Sequence, residues 1–369
     1  MSKRSERVGS EVARLMEAGV SGQVFPGGVA CISWREEVGG PAYADVAAGR
    51  LQQGDRPVQV STTYDLASVT KPFVAVSALR MVAQGRLSLA VRTDSVVPDT
   101  RGGIGGAASL EALLTHRSGL AGWGGLYLDV PHDPGTPAAR RWILSEASRR
   151  SAGEGEKPPV YSDLGYIIAG EVVARSAGER LERVVSKEVL EPLGLEQDVF
   201  YPPALAPDRR VQLLREAPPT EWCDWRQRII RGEAHDENCA AFGGVAGNAG
   251  LFGTARGVAI FGRAVLDAHR GVSGFLPQQL LRQALAPRPG STLRLGWDGK
   301  AAEGSASGRR MSDQSFGHLG FTGTSLWCDP DKDLVVVLLT NRVHPSRANE
   351  RIKGFRPGFH DGVVAALGR

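Results

Sequence analysis

Ser68-Val-Thr-Lys71 places a hydroxyl and an amine three residues apart where an apolar, helix-forming run begins. Residues three apart share one face of a helix, so Ser68 Oγ and Lys71 Nζ can meet. The neighbours Val69, Phe73, Val74 and Val76 predict a buried helix. Burial strips hydration from an amine and favours its neutral form, which can take a proton from serine. The N–H groups of a helix start also stand ready for a developing oxyanion. S-x-x-K is short enough to arise by chance in most chains of this size, so its weight depends on its company. Two polar segments accompany it: Tyr161-Ser-Asp163, ahead of a helical pattern, and Gly317-His-Leu-Gly-Phe-Thr-Gly-Thr324, ahead of a strand pattern. A third, Arg231-Gly-Glu-Ala-His-Asp-Glu-Asn-Cys239, reads either as pocket lining around His235 or as a capped helix start. No second histidine stands at ligand spacing from His235, Asp236 and Cys239, so a metal site is not expected.

These groups must be held by the surrounding elements. Val8, Val12, Leu15 and Met16 share a face and predict a helix over 5–19. Strands are expected at 28–34 and 45–51, joined by a Gly-Gly-Pro turn, and the helix carrying Ser68 over 68–84, closed by Gly85. Helices follow at 109–115, 139–150, 164–177, 180–190 and 255–269. Strands return at 292–297, 323–328 and 334–339, and a terminal helix is expected over 347–368. The glycine loop 102–106 and the Pro-rich stretch 202–219 read as surface connections. Strands at both ends with helices between predict an α+β fold: an antiparallel sheet flanked by helices, built from both termini. Residues 1–85 and 251–369 would form the sheet domain and 86–250 an inserted, mostly helical one, with chemistry at the seam.

Composition narrows the classes. The chain of 369 residues is 42% apolar and 23% charged, which is ordinary globular usage. The charge of +4 comes from 37 Arg and 7 Lys spread without a basic block, so no nucleic-acid partner is expected. Cys31, Cys223, Cys239 and Cys328 form no CxxC pair, which gives zinc, thioredoxin chemistry and a disulfide framework no support. No apolar core of a signal peptide follows the charged N-terminal residues, and no run is long enough for a membrane span. A cytoplasmic location is the expectation, or a periplasmic one if the start is misassigned. No serine lies in G-x-S-x-G, and G-x-x-x-x-G-K-[ST] and H-E-x-x-H are missing. Gly103-x-Gly105-x-x-Ala108 follows a polar turn rather than a strand, so no dinucleotide or other cofactor is expected.

Taken together, Ser68-x-x-Lys71, Tyr161-x-Asp163 and His318-Leu-Gly320 resemble, in order and spacing, the penicillin-recognising serine hydrolases: class C β-lactamases, DD-peptidases and esterases of that fold. Leu113-Leu-Thr-His-Arg-Ser-Gly-Leu120, Gly247-Asn-Ala-Gly-Leu-Phe-Gly-Thr254 and Val336-Val-Leu-Leu-Thr-Asn-Arg342 add to the likeness, which spans about residues 25 to 365. The resemblance implies a β-lactamase/transpeptidase-like fold, Ser68 as nucleophile, Lys71 as its base partner and Tyr161 as proton shuttle to the leaving group. It implies an oxyanion hole from the backbone N–H groups of Ser68 and Phe321. Substrate would be held by Asp163, His318, Leu319, Gly320, His235 and Asn248. Two departures stand out. Asp163 replaces the family's asparagine and, when ionised, can only accept hydrogen bonds. It can instead pair with Lys71 and raise its pKa, so that the base becomes a tyrosinate or a Lys–Tyr pair. His318 replaces a lysine and is mostly neutral at pH 7.

Both departures point away from a true β-lactamase. The expected function is an esterase-like serine hydrolase that cleaves an ester or amide of a small molecule or short peptide through an acyl-enzyme on Ser68. The alternatives are a D-amino-acid peptidase or amidase on cell-wall-type peptides, a weak β-lactamase, or a binding module without catalysis.

Overall fold

A computed structural model of the chain describes residues 3–36, 39–153 and 159–368. Helix α1 (Lys3–Ser21) leads into β1 (Gly27–Arg35) and β2 (Pro41–Gly49). The two-residue strand β3 (Tyr64–Asp65) and a 3₁₀ turn over Ala67–Val69 precede α2 (Thr70–Ala83). Further on come α3 (Asp163–Ala177), β4 (Val199–Phe200), α4 (Glu237–Ala241), β5 (Phe252–Gly253) and α5 (Ala255–Arg270). The last third supplies β6 (Asp298–Gly299), β7 (Phe316–Leu319), β8 (Ser325–Asp329), β9 (Leu334–Thr340) and α6 (Ile352–Ala366).

The main sheet runs β2-β1-β9-β8-β7-β6 and is antiparallel throughout. β1 pairs with β9 from Gly28 opposite Thr340 to Trp34 opposite Leu334, so the two ends of the chain meet at its centre. Side chains alternate across a strand, and both faces of β9 are apolar. Val335, Val337 and Leu339 join the core under α2 and α5, whereas Leu334, Val336 and Leu338 join the core under α1 and α6. Phe73 of α2 stacks on Phe261 of α5 at 3.7 Å between ring centroids, which ties the serine-bearing helix to the sheet. Complete burial of such side chains contributes about 1.5–3 kcal/mol each. Among the described residues no helix is long and apolar enough to cross a membrane.

The antiparallel sheet fed from both ends is as the sequence predicts. The second strand runs over Pro41–Gly49 rather than 45–51, so Pro41 belongs to it and not to the turn, and four other local expectations differ. Residues 292–297 do not form a strand: Gly296 adopts φ +80°, Arg294 N–H donates to the Trp297 carbonyl, and the chain reverses on itself. Its alternating Leu293, Leu295 and Trp297 mimic a strand period while serving a turn that sends Leu295 and Trp297 into the core. The Pro-rich stretch contains a helix, Pro207–Glu216, because proline at the first helical position costs no hydrogen bond. The loop 102–106 is partly a helical turn, Ile104–Ala107, with Gly105 and Gly106 buried. The terminal helix starts at Ile352 rather than 347, since 341–351 is tied down by side-chain bonds to the carbonyls of Arg347 and Asn349.

Candidate active site

Ser68 lies in the 3₁₀ turn ahead of α2, not in the α-helix itself, and the residue before it explains why. Ala67 takes φ +47°, a left-handed conformation that alanine rarely adopts, so something must hold it. The buried Asp65 carboxylate does so: Oδ1 accepts the Ala67 N–H at 2.8 Å and Oδ2 the His235 N–H at 2.7 Å. Burial raises the Asp65 pKa, and these two N–H groups oppose the rise. Thr322 Oγ1 donates to the Asp65 carbonyl at 2.8 Å and Thr324 Oγ1 to the Leu66 carbonyl at 2.9 Å. The β7–β8 loop carrying Phe321 is thereby clipped to the backbone just ahead of Ser68. That close approach requires Gly320, where a Cβ would sit 1.9 Å from Thr324 Oγ1 and 2.6 Å from the Leu66 carbonyl oxygen. Arg356 of α6, buried and without an ion-pair partner among the described residues, donates to the Gly320 and Thr324 carbonyls from beneath. Burial pushes its pKa down to about 9.

Lys71 is completely buried, and its ammonium makes three bonds: Ser68 Oγ at 2.8 Å, Asp163 Oδ1 at 2.6 Å and the Asn248 carbonyl at 3.1 Å. Burial favours the neutral amine, as the sequence suggests, but Asp163 and Tyr161 outweigh it and raise the Lys71 pKa. Lys71 is therefore an ammonium in the resting protein. Asp163 reaches it because Ser162 caps α3: Ser162 Oγ accepts the Gly165 N–H and donates to the Ala121 carbonyl. Tyr161 and Asp163 flank this cap and so face the same point. His116, kept neutral by burial and by Lys71, accepts the Ser162 N–H on Nδ1 at 2.9 Å and locks the segment further. The Tyr161 ring stands over the ammonium, 4.9 Å from centroid to Nζ. Desolvation raises the phenol pKa above its usual value against the pull of Lys71, so the hydroxyl keeps its proton.

A cleft of about 350 Å³ opens onto Ser68, lined by Asp163, His235, Asp236, Trp123, Phe321 and Arg347 among others. The serine, lysine, tyrosine and aspartate picked out in the sequence thus converge on one place. His318 is buried beside Tyr161, its ring 5.9 Å from the phenol ring, and burial with Lys71 nearby pushes its pKa down to about 3. It is neutral, with Nδ1 against the Leu319 carbonyl. β6 covers only Phe316 and Gly317 of β7, so Leu319 and Gly320 extend past it. Phe321 is exposed at the mouth, its ring beneath the Arg342 guanidinium at 4.6 Å and stacked on His235. Asn248 does not present its amide to the cleft: its carbonyl meets Lys71 and its side chain donates to Asp236. Sequence reasoning did not single out Asp65, Thr322, Thr324 or Arg356. The one visible signal for Asp65 was an acidic residue two positions before the Ala67-Ser68 turn, between Tyr64 and Leu66.

Comparison with known proteins fits this geometry. The sequence profile described as Beta-lactamase matches residues 12–355. The chain is 29% identical over 350 residues to the N-acetylmuramyl-L-alanine amidase of Bacillus subtilis (strain 168), covering 85% of this chain and 77% of that protein. Among solved structures it is similar to EstCE1, a hydrolase with promiscuous acyltransferase activity, with a TM-score of 0.75 at 19% identity, over 98% of this chain and 100% of that one. It is also similar to a class C beta lactamase, with a TM-score of 0.72 at 17% identity and 98% of each chain covered. These likenesses carry the fold, and the profile match spans most of the chain: the protein belongs to the beta-lactamase family of serine hydrolases.

Proposed function

We propose that the chain hydrolyses an amide or ester by acylating Ser68, and that its natural substrate is a cell-wall-type amide between an acyl group and an amino acid. The observation that carries the first part is the Ser68–Lys71–Asp163 chain of bonds at 2.8 and 2.6 Å under an open cleft. The second part is supported by the resemblance to a protein named for the N-acetylmuramyl-L-alanine amide bond. Esters are more reactive acyl donors, so esterase activity accompanies the same chemistry.

Ser68 Oγ attacks the carbonyl carbon. Its proton passes to Lys71 Nζ while Lys71 passes one to Asp163 Oδ1, so the lysine acts as a relay and the carboxylate as the acceptor. The backbone N–H groups of Ser68 and Phe321 receive the oxyanion, a contribution of about 10²–10³-fold per donor in comparable sites. Tyr161 Oη–H then protonates the leaving nitrogen or oxygen. The phenolate recovers its proton from Lys71, and Lys71 from Asp163, which leaves an acyl-Ser68 and a free amine or alcohol. Intact-mass measurement after a fluorophosphonate, together with release of L-alanine from N-acetylmuramyl-L-alanine, tests the reading. Ester turnover with no amine released from any amide of that class would reject the substrate part.

Two outcomes follow from the departures. Benzylpenicillin should be hydrolysed more slowly than short-chain aryl esters, because the neutral His318 supplies no charge for its carboxylate and Asp163 no amide donor. A kcat/KM for benzylpenicillin above that for the esters would contradict this. Asp163→Asn removes the carboxylate that accepts the proton relayed by Lys71, so kcat/KM with a neutral ester should fall by about 10²–10⁴-fold, the scale of general acid–base catalysis. It also removes one of the two groups that raise the Lys71 pKa and leaves Tyr161 alone against burial. An unchanged kcat/KM would exclude Asp163 as the acceptor.

A further inference from the structure

An acyl-enzyme must be hydrolysed, and the water that does so needs a proton acceptor. Most groups around Ser68 are committed elsewhere. Lys71 is an ammonium, Tyr161 a protonated phenol, and Asp163 Oδ1 is bonded to Lys71. His235 Nε2 is bonded to Glu221 Oε1 at 2.7 Å, and Glu237 Oε1 to Arg347 at 2.6 Å. His318 has lost its basicity. Asp236 differs. It lines the same cleft as Ser68, and its Oδ1 is fixed by the Cys239 N–H at 2.6 Å, as cap of α4, and by Asn248 Nδ2 at 3.3 Å. Its Oδ2 accepts no hydrogen bond from the described residues. One oxygen is therefore anchored and the other is available to the cleft. The Asn248 that anchors it also holds Lys71 through its carbonyl, so the carboxylate is placed in register with the nucleophile's helix.

We propose that Asp236 is the general base that activates the water which hydrolyses the acyl group on Ser68; the inference rests on the acyl-enzyme reading above. The water oxygen attacks the acyl carbon and its proton goes to Asp236 Oδ2. The Ser68 Oγ–carbon bond then breaks, and Oγ takes a proton from Lys71. Asp236 returns its proton to Lys71 through solvent, and the acid product leaves. The environment suits the task. Burial first, and the neighbouring Asp163 second, push the Asp236 pKa up to about 6, close to where a general base works best. The other charged or titratable side chains facing the cleft are Asp163, His235, Glu237 and Arg347, with Lys71 behind Asp163.

The test is pre-steady-state hydrolysis of a p-nitrophenyl ester by the full chain. Asp236→Asn keeps the Oδ1 acceptor of the helix cap, so the fold is retained. It should give a burst of one nitrophenolate per chain at the wild-type rate, then turnover slower by about 10²–10⁴-fold. The acyl adduct should be visible by intact mass. The wild-type deacylation constant should rise with pH through about 6 and the variant's should be flat. Formate should restore deacylation in Asp236→Ala, which a merely structural role would not allow. An unchanged deacylation constant in Asp236→Asn, or burst and steady-state rates falling together, would overturn the assignment. An absence of any Ser68 adduct in both wild type and variant would instead overturn the acyl-enzyme reading beneath it.

Discussion

Ser68→Ala should lower kcat by at least about 10⁴-fold and abolish labelling by a fluorophosphonate, with the unfolding midpoint nearly unchanged. Ser68 is partly buried at the base of the cleft, and removing its hydroxyl leaves no cavity in a packed core. The fold around it is held by other bonds: Asp65 to the Ala67 and His235 N–H groups, and Thr322 and Thr324 to the Asp65 and Leu66 carbonyls. The variant should therefore still bind substrate analogues. Kinetic assay, intact mass and thermal melting of one preparation check all three statements, and retained labelling would eliminate Ser68 as the nucleophile.

Lys71 and Tyr161 should behave as one unit. Lys71→Ala and Tyr161→Phe are each expected to cost at least about 10²-fold in kcat, the scale of general acid–base catalysis. The double variant should be little worse than the poorer single one, because each group passes its proton through the other. The physical basis is the Tyr161 ring over the Lys71 ammonium and the shared approach to Ser68. Lys71→Ala carries an added burden, since it leaves the Asp163 carboxylate facing a cavity without its cation. Stability should be measured beside activity so that unfolding is not read as lost catalysis. Losses that multiply in the double variant would rule out the shared proton path.

How far the sequence alone reached depended on the kind of signal. The sheet and α2 were legible because Leu334–Thr340 and Thr70–Ala83 are long runs whose apolar patterns leave few alternatives. Ser68, Lys71, Tyr161 and Asp163 were legible because helical spacing and motif order brought them together. Two things were not. Gly296 turns a strand-like alternation into a reversal, which a period of two cannot reveal. The contacts that support the site, Asp65 to His235 and Arg356 to Gly320, join residues 170 and 36 positions apart, and no local pattern encodes them. The charge state of Lys71 was open for the same reason: burial and Asp163 pull in opposite directions, and the 2.6 Å contact decides between them.

The pairing of β1 with β9 also bears on how the protein comes to exist. Gly28 finds its partner Thr340 only after roughly 300 further residues have been made, which at ribosomal rates of about 5–20 residues per second takes on the order of 15–60 s. Until then β1 and β2 form an isolated hairpin, which is marginal in water, and the apolar face of α2 has no sheet to pack on. High contact order of this kind slows folding and lengthens the exposure of apolar strands, so the nascent chain should depend on chaperones. Phe321 and the two threonines that brace the Ser68 turn arrive late in synthesis as well. The turn that carries Ser68 therefore cannot be braced until Thr322 and Thr324 have left the ribosome.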